Sequence, residues 1–242
     1  MNGAWLRLFS TRRTFFKEAK DFGYIETYPF IRIKHPSPSS DEMDHLTTEE
    51  IELVLIHMDQ RPGIFFSILA YAGLRKVEAL ALKRKNLDFD SKEIRVTNSW
   101  SAANRYFEPK TEAAKRRVPM LPILETALRD YCDEQRFEPE DFLFRSPRSK
   151  EGWPVINPFR MQLNKALAAC GLRHVIVHSF RHYFASLMIA SSASIVALSK
   201  VMGHKRVTVT LDRYGHLYPQ DLVNAVDKAN ALIEAVRMDQ CE

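Results

Sequence analysis

The chain has 242 residues, 45% of them hydrophobic and 11% aromatic, which supplies a buried core and excludes a disordered polymer. Its 35 Lys and Arg against 30 Asp and Glu leave a net charge of +5, a surplus that permits a polyanionic partner without requiring one. The cysteines, Cys132, Cys170 and Cys241, lie far apart without C-x-x-C spacing, so they signal neither a disulfide framework nor a zinc site and fit a reducing cytoplasm.

In "MNGAWLRLFSTRRTFFKEAK" the residues Leu6, Phe9, Arg13, Phe16 and Ala19 recur near helical spacing. They predict an amphipathic helix, since the stretch lacks the continuous apolar run and cleavage site of a signal peptide. "DFGYIETYPF" breaks the pattern at Gly23 and Pro29, and "KHPSPSSDEMDH" reads as a Pro-, Ser- and Asp/Glu-rich linker. The predicted organisation is therefore a short first segment over 1–34, a linker over 35–45 and a main domain over 46–242. No apolar run approaches the ~20 residues that cross a bilayer, so no membrane is expected.

The main domain begins at "LTTEEIELVLIHM", where Thr47 and Glu50 have the spacing of a capping box. Helices are predicted over 62–72 and 75–82. Between 86 and 120, "LDFDSKEIRV", "RYFEP" and "RRVPM" are short alternating runs that predict a small antiparallel β-meander. Helical patterns return over 122–136, 157–170, 178–190, 194–202 and 220–237. The expected fold class is mainly α with one small β-meander.

Four stretches carry candidate chemistry. In "AGLRKVEALAL", Gly73 permits a tight turn, and Glu78 stands at i+3 from Arg75, which suits either a surface ion pair or a carboxylate that aims a guanidinium at an anion. In "PKTEAAKRRVPM", Lys110 falls at a strand end and Lys115, Arg116 and Arg117 return on the next strand, reading as a solvated charge run or as a hairpin that carries a lysine into a groove. In "HSFRH", His178 and Arg181 share a helix face, and His182 lies one turn beyond His178. A metal site on these histidines is disfavoured because no carboxylate or cysteine accompanies them. In "MGHKRVTVTLDRYGH", His204 follows Gly203 and Tyr214 comes ten residues later, either as an ordinary core tyrosine or as a nucleophile that needs surrounding cations.

Together and in this order, these motifs resemble the tyrosine recombinases, or phage-type integrases, over about residues 45–220. The resemblance implies the tyrosine recombinase catalytic-domain fold and a DNA breakage and rejoining activity that uses no cofactor, metal or ATP. It implies that Arg75 and Arg181 clamp a scissile phosphate of double-stranded DNA, that His204 donates to it, and that Glu78 supports the clamp. Tyr214 would attack phosphorus to give a 3'-phosphotyrosyl link, Lys110 would protonate the leaving 5'-oxygen and His178 would manage the tyrosine proton. Tyr218, four residues further on beside Pro219, competes weakly for the nucleophile's role. A homo-tetramer on synapsed sites is implied, with the helix over 220–237 docking on a neighbour or packing in cis. The hairpin and the step from His204 to Tyr214 look more like integrases of phages and mobile elements than like Xer-type resolvases. The segment "FFKEAKDFGYIETYPF" resembles only the last helix of the family's core-binding domain, which predicts a truncated clamp. A DNA-binding regulator without strand cleavage is the alternative, and a type IB topoisomerase a third reading.

Overall fold

The computed structural model describes residues 3–30, 46–101, 105–107, 115–146, 152 and 154–218. Backbone contacts divide the chain into two units, Met1–His45 and Leu46–Glu242. In the first, helix α1 spans Gly3–Asp21. Gly23, at φ +78, ends it: its N–H donates to Lys20 O at 2.9 Å and that of Tyr24 to Ala19 O at 2.8 Å, the paired bonds by which a left-handed residue closes a helix. The chain then turns back, so that Phe30 packs on Phe16 at 5.6 Å and Arg13 Nε donates to Tyr28 Oη at 3.0 Å.

The second unit opens with the predicted capping box, for Glu50 N–H donates to Thr47 Oγ1 at 3.2 Å and Thr47 N–H to Glu50 Oε2 at 2.9 Å. Helix α2 spans Thr48–Ile56 and α3 spans Gln60–Ala72. Helix α3 is apolar nearly all round, as a helix at the centre of a core must be. Phe65 stacks with Phe159 at 4.4 Å and meets Phe144 edge-on at 5.4 Å, while Phe66 lies 4.7 Å from Phe180. Helix α4 (Lys76–Leu80) leads to the strands, and helices α5 (Pro122–Gln135), α6 (Asn157–Ala169), α7 (Val177–Ala190), α8 (Ile195–Met202) and α9 (Val207–Tyr214) complete the described residues.

The fold is mainly helical with small antiparallel sheets, but the strands do not form one meander. Strands β1 (Leu87–Asp88), β2 (Glu93–Val96) and β5 (Arg116–Pro119) make one sheet in the order β1-β2-β5, with Ile94 opposite both Leu87 and Val118. Strands β3 (Ser99–Ser101) and β4 (Arg105–Phe107) form a separate pair inserted between β2 and β5, with Trp100 opposite Tyr106. The alternation in the sequence marks each strand, but strand order is set by pairing across distance. The helix expected over 220–237, Cys241 and the linker expected over 35–45 lie outside the described residues. Cys132 and Cys170 are free thiols. Among the described residues no helix is long and apolar enough to cross a membrane.

Candidate active site

The last turn of a helix leaves carbonyls without intrahelical donors and concentrates partial negative charge. At the end of α8 these carbonyls are met by guanidinium groups. Val201 O accepts from Arg116 Nε at 2.5 Å, Met202 O from Arg181 Nη2 at 2.7 Å and Gly203 O from Arg75 Nη2 at 2.7 Å. Three successive carbonyls thus fix three arginines that arrive from β5, α7 and the start of α4. Gly203, at φ +64, makes the turn possible, and a Cβ there would stand 2.7 Å from Arg116 Nη1.

Glu78 organises two of these cations from beneath. It is 2% exposed; its Oε2 accepts from Arg75 N–H and from Arg116 Nη2 at 2.8 and 2.9 Å, and its Oε1 from Arg75 Nη1 and Arg116 Nη1 at 2.8 and 3.1 Å. Burial pushes its pKa up, but the hydrogen bonds and charge of Arg116, followed by those of Arg75, outweigh it and hold the carboxyl below its usual range. Arg181, also 2% exposed, donates through Nη1 to Gly73 O at the end of α3. Burial first, then Arg75 nearby, lower its pKa to about 9, which leaves it a cation at neutral pH. Gly73 is required at that contact as well: at φ +63, a Cβ would lie 2.2 Å from the Phe184 ring.

The tautomer of His204 follows from its neighbours. Arg181 Nη2 lies 3.1 Å from His204 Nε2, and a guanidinium only donates, so Nε2 accepts and Nδ1 carries the hydrogen. That hydrogen points to Thr210 Oγ1 at 2.7 Å on α9. Burial, then the charges of Arg181 and Arg75, pull the His204 pKa down to about 4, and the ring is neutral at physiological pH. One turn beyond Thr210, Tyr214 is fully buried, and its hydroxyl lies 2.6 Å from His182 Nδ1. Burial raises the phenol's pKa against the opposing charges of Arg181 and Arg213. His178 packs edge-on against His182, ring centroids 4.6 Å apart, and burial with Arg181 nearby lowers its pKa to about 4.

The structure therefore gathers Arg75, Glu78, His178, Arg181, His204 and Tyr214 around the ends of α3 and α8, while Lys110 lies outside the described residues. Tyr218 packs against the cluster that holds Tyr214, but its hydroxyl is engaged elsewhere, donating to Ala193 O at 3.2 Å. The histidine on the Tyr214 hydroxyl is His182, not His178. Arg116 lies within what the sequence presents as a charge run, and Thr210 carries no motif signal of its own. On sequence His182 enters only as a candidate metal ligand; among the described residues no group of three or more His, Cys, Asp or Glu is placed to hold a metal ion. Arg75 has a side chain 35% exposed, so the cationic cluster is open to solvent at one point. Chemically, it is a fixed cluster of cations, able to hold an oxyanion, beside a buried tyrosine hydroxyl.

A helical domain with that grip belongs to a known class. The phage integrase family profile matches residues 44–221, and the chain belongs to this family. A XerC-like tyrosine recombinase of Caldanaerobacter subterraneus subsp. tengcongensis is 25% identical over 253 residues, covering 91% of this chain and 64% of that protein. The ICEBs1 integrase of Bacillus subtilis is 27% identical over 181 residues, 70% of this chain and 48% of that protein. The chain thus spans about two-thirds or less of the length of these relatives, whose names include both Xer-type recombinases and integrases. Among solved structures, the Tn1549 transposon integrase in complex with a circular intermediate DNA shares the fold, with a TM-score of 0.69 and 22% identity over 93% of this chain and 76% of that one. The XerA recombinase gives 0.58 and 23% over 81% and 66%.

Proposed function

We propose that the chain is a site-specific DNA recombinase of a phage or other mobile element, acting in the cytoplasm on double-stranded DNA. The observation that carries this reading is the convergence of Arg75, Arg181 and His204 at the end of α8 with Tyr214 one turn beyond the residue that holds His204. Arg75 and Arg181 bind the non-bridging oxygens of a scissile phosphate and stabilise the charge that builds on them as phosphorus is attacked. His204, whose Nε2 accepts from Arg181 and whose Nδ1–H is given to Thr210, positions Arg181 rather than donating to the phosphate itself, and Glu78 keeps Arg75 aimed. Tyr214 attacks, Lys110 protonates the leaving 5'-oxygen, and the phosphodiester energy is kept in the 3'-phosphotyrosyl link, so a second 5'-hydroxyl reverses the step without ATP. The chemistry calls on no metal or cofactor, since cationic side chains neutralise the phosphate. Each chain brings one such tyrosine and exchange between two duplexes needs four cleavages, which supports a homo-tetramer on synapsed sites. The DNA-bound relatives of this fold support DNA as the partner. Residues 1–34 are read as the last helix of a core-binding domain, 35–45 as a linker and 46–242 as the catalytic domain.

The test is covalent trapping in EDTA on nicked suicide duplexes made from the DNA flanking the gene, with wild type and Tyr214→Phe compared on denaturing gels. A 3'-linked adduct on Tyr214, absent from the Phe variant, is the expected result. An adduct that forms only after an upstream core-binding domain is supplied identifies a catalytic half that needs a clamp. No adduct in either case leaves a DNA-binding role and overturns the recombinase reading.

A further inference from the structure

We propose that Arg116 is a positioning residue for the strand-cleavage chemistry: by holding the charge of the Glu78 carboxylate, it lets Glu78 aim Arg75 without cancelling the positive charge that Arg75 presents to the scissile phosphate. This rests on the recombinase reading above. The Arg116 guanidinium is turned inward, with Nε on Val201 O and with Nη1 and Nη2 on the two oxygens of Glu78. Its side chain is buried, so its part in the reaction passes through Arg75 rather than through contact with DNA.

One guanidinium is enough to compensate a buried carboxylate, and Glu78 has two. Its Oε1 accepts from Nη1 of Arg75 and from Nη1 of Arg116, so two cations share one anion and one positive charge of the trio is left uncancelled. Arg116 and Arg181 are buried while Arg75 is open to solvent, so the surplus reaches an incoming anion through Arg75. Without the Arg116 cation, Glu78 and Arg75 form a neutral pair. In a water-poor site the carboxylate then opposes a phosphate nearly as strongly as the guanidinium attracts it.

The contacts also close a ring. Arg75 holds Gly203 O, Arg116 holds Val201 O, and both end on Glu78, so one carboxylate ties the start of α4 to the end of α8. Arg75 is thereby kept with one Nη on the carboxylate and the other on Gly203 O. With Arg116 gone, the carboxylate draws both Nη groups of Arg75 towards itself, the two-point geometry that a guanidinium and a carboxylate prefer. Arg116 thus protects both the charge and the direction of Arg75, which acts on the non-bridging oxygens as charge builds on them. No bond forms or breaks at Arg116.

The experiment uses the full chain and a duplex whose scissile phosphate has been located from the wild-type adduct. Single-turnover adduct formation is followed on that duplex and on one with a methyl group in place of a non-bridging oxygen of the scissile phosphate, which removes the charge that Arg75 offsets. Wild type, Arg116→Met, Arg116→Lys and the double variant Arg116→Met/Glu78→Gln are compared by rate constant, while the amplitudes report the folded fraction, so that lost stability is not read as lost rate. A direct donor to such an oxygen is worth about 100- to 1000-fold, and a residue acting through one is worth less. The expected loss in Arg116→Met is therefore roughly 30-fold on the phosphate and under about 3-fold on the methylphosphonate, and the double variant, which lacks both charges, recovers at least about 5-fold over Arg116→Met on the phosphate. Arg116→Lys keeps the charge but not the two-point contact; its smaller loss also falls more on the phosphate, and this comparison decides the matter if the methionine variant does not fold. A purely structural Arg116 slows both substrates alike. Equal losses on the two substrates, a phosphate rate in Arg116→Met equal to wild type, or a double variant no faster than Arg116→Met overturns the assignment. A wild-type chain that forms no adduct overturns the recombinase reading, and this inference with it.

Discussion

Removing Arg116 separates a buried structural pair from a surface charge. Its guanidinium has a side chain 7% exposed, makes two hydrogen bonds to a Glu78 carboxylate that is 2% exposed, and holds Val201 O through Nε. Truncating one partner of a buried ion pair costs about 3–5 kcal/mol, because the other charge stays buried without its compensation. Glu78 still keeps both hydrogen bonds from Arg75, so the expected loss for Arg116→Ala lies at the low end, about 3 kcal/mol. Glu78→Ala should cost a similar amount, and the double variant distinctly less than the sum, with a coupling of at least ~1.5 kcal/mol. Urea unfolding followed by circular dichroism reads all three variants, with the midpoint shifted and the slope unchanged. A loss under ~1 kcal/mol for Arg116→Ala, the range of an exposed pair, would refute the reasoning, as would additive single variants.

Gly203→Ala forces a left-handed residue and a Cβ 2.7 Å from Arg116, so it should destabilise the domain by more than ~1 kcal/mol and lower adduct yield, both read on the same preparations. His178 and His204 are held near pKa 4 in the fold against an ordinary 6.5, so between those values the unfolded chain binds protons that the folded chain refuses. Stability should therefore fall as pH drops through 6.5 towards 4, seen as a lower urea midpoint at pH 5 than at pH 7; an unchanged midpoint, or one lowered equally in His178→Gln/His204→Gln, would contradict the burial argument. DNA binding should weaken by about 10³-fold or more between 50 and 200 mM salt if the chain covers some six phosphates, and a salt-insensitive complex in a filter-binding titration would contradict a phosphate-directed site.

Much of this was legible in the sequence because it rests on local chemistry. Thr47 and Glu50 announce a helix start by spacing alone, and Gly73 and Gly203 mark helix ends that the backbone needs. Helix α9 was not legible. Its Val207, Thr208, Val209 and Thr210 are β-branched and favour strands. Its exposure is also inverted, since Thr210 and Tyr214 are buried while Val207, Val209 and Leu211 face out. Two side-chain hydrogen bonds, to His204 and His182, fix that face inward against the hydrophobic pattern. Arg116 was hidden for a related reason: three basic residues in a row read as a solvated face, and only the pairing of β5 with β2, Arg116 opposite Val96, turns one of them under the site.

The arginines that meet α8 are addressed to main-chain oxygens, which no substitution deletes. Helix α8 is therefore free to change its outward side chains, Val196 among them, while the cations stay where they are. A single inserted or deleted residue is another matter: it moves the end of the helix by ~1.5 Å and rotates it by roughly a third of a turn, and all three guanidinium groups lose their seats at once. The site is thus tolerant of spelling changes in α8 and intolerant of changes in its length.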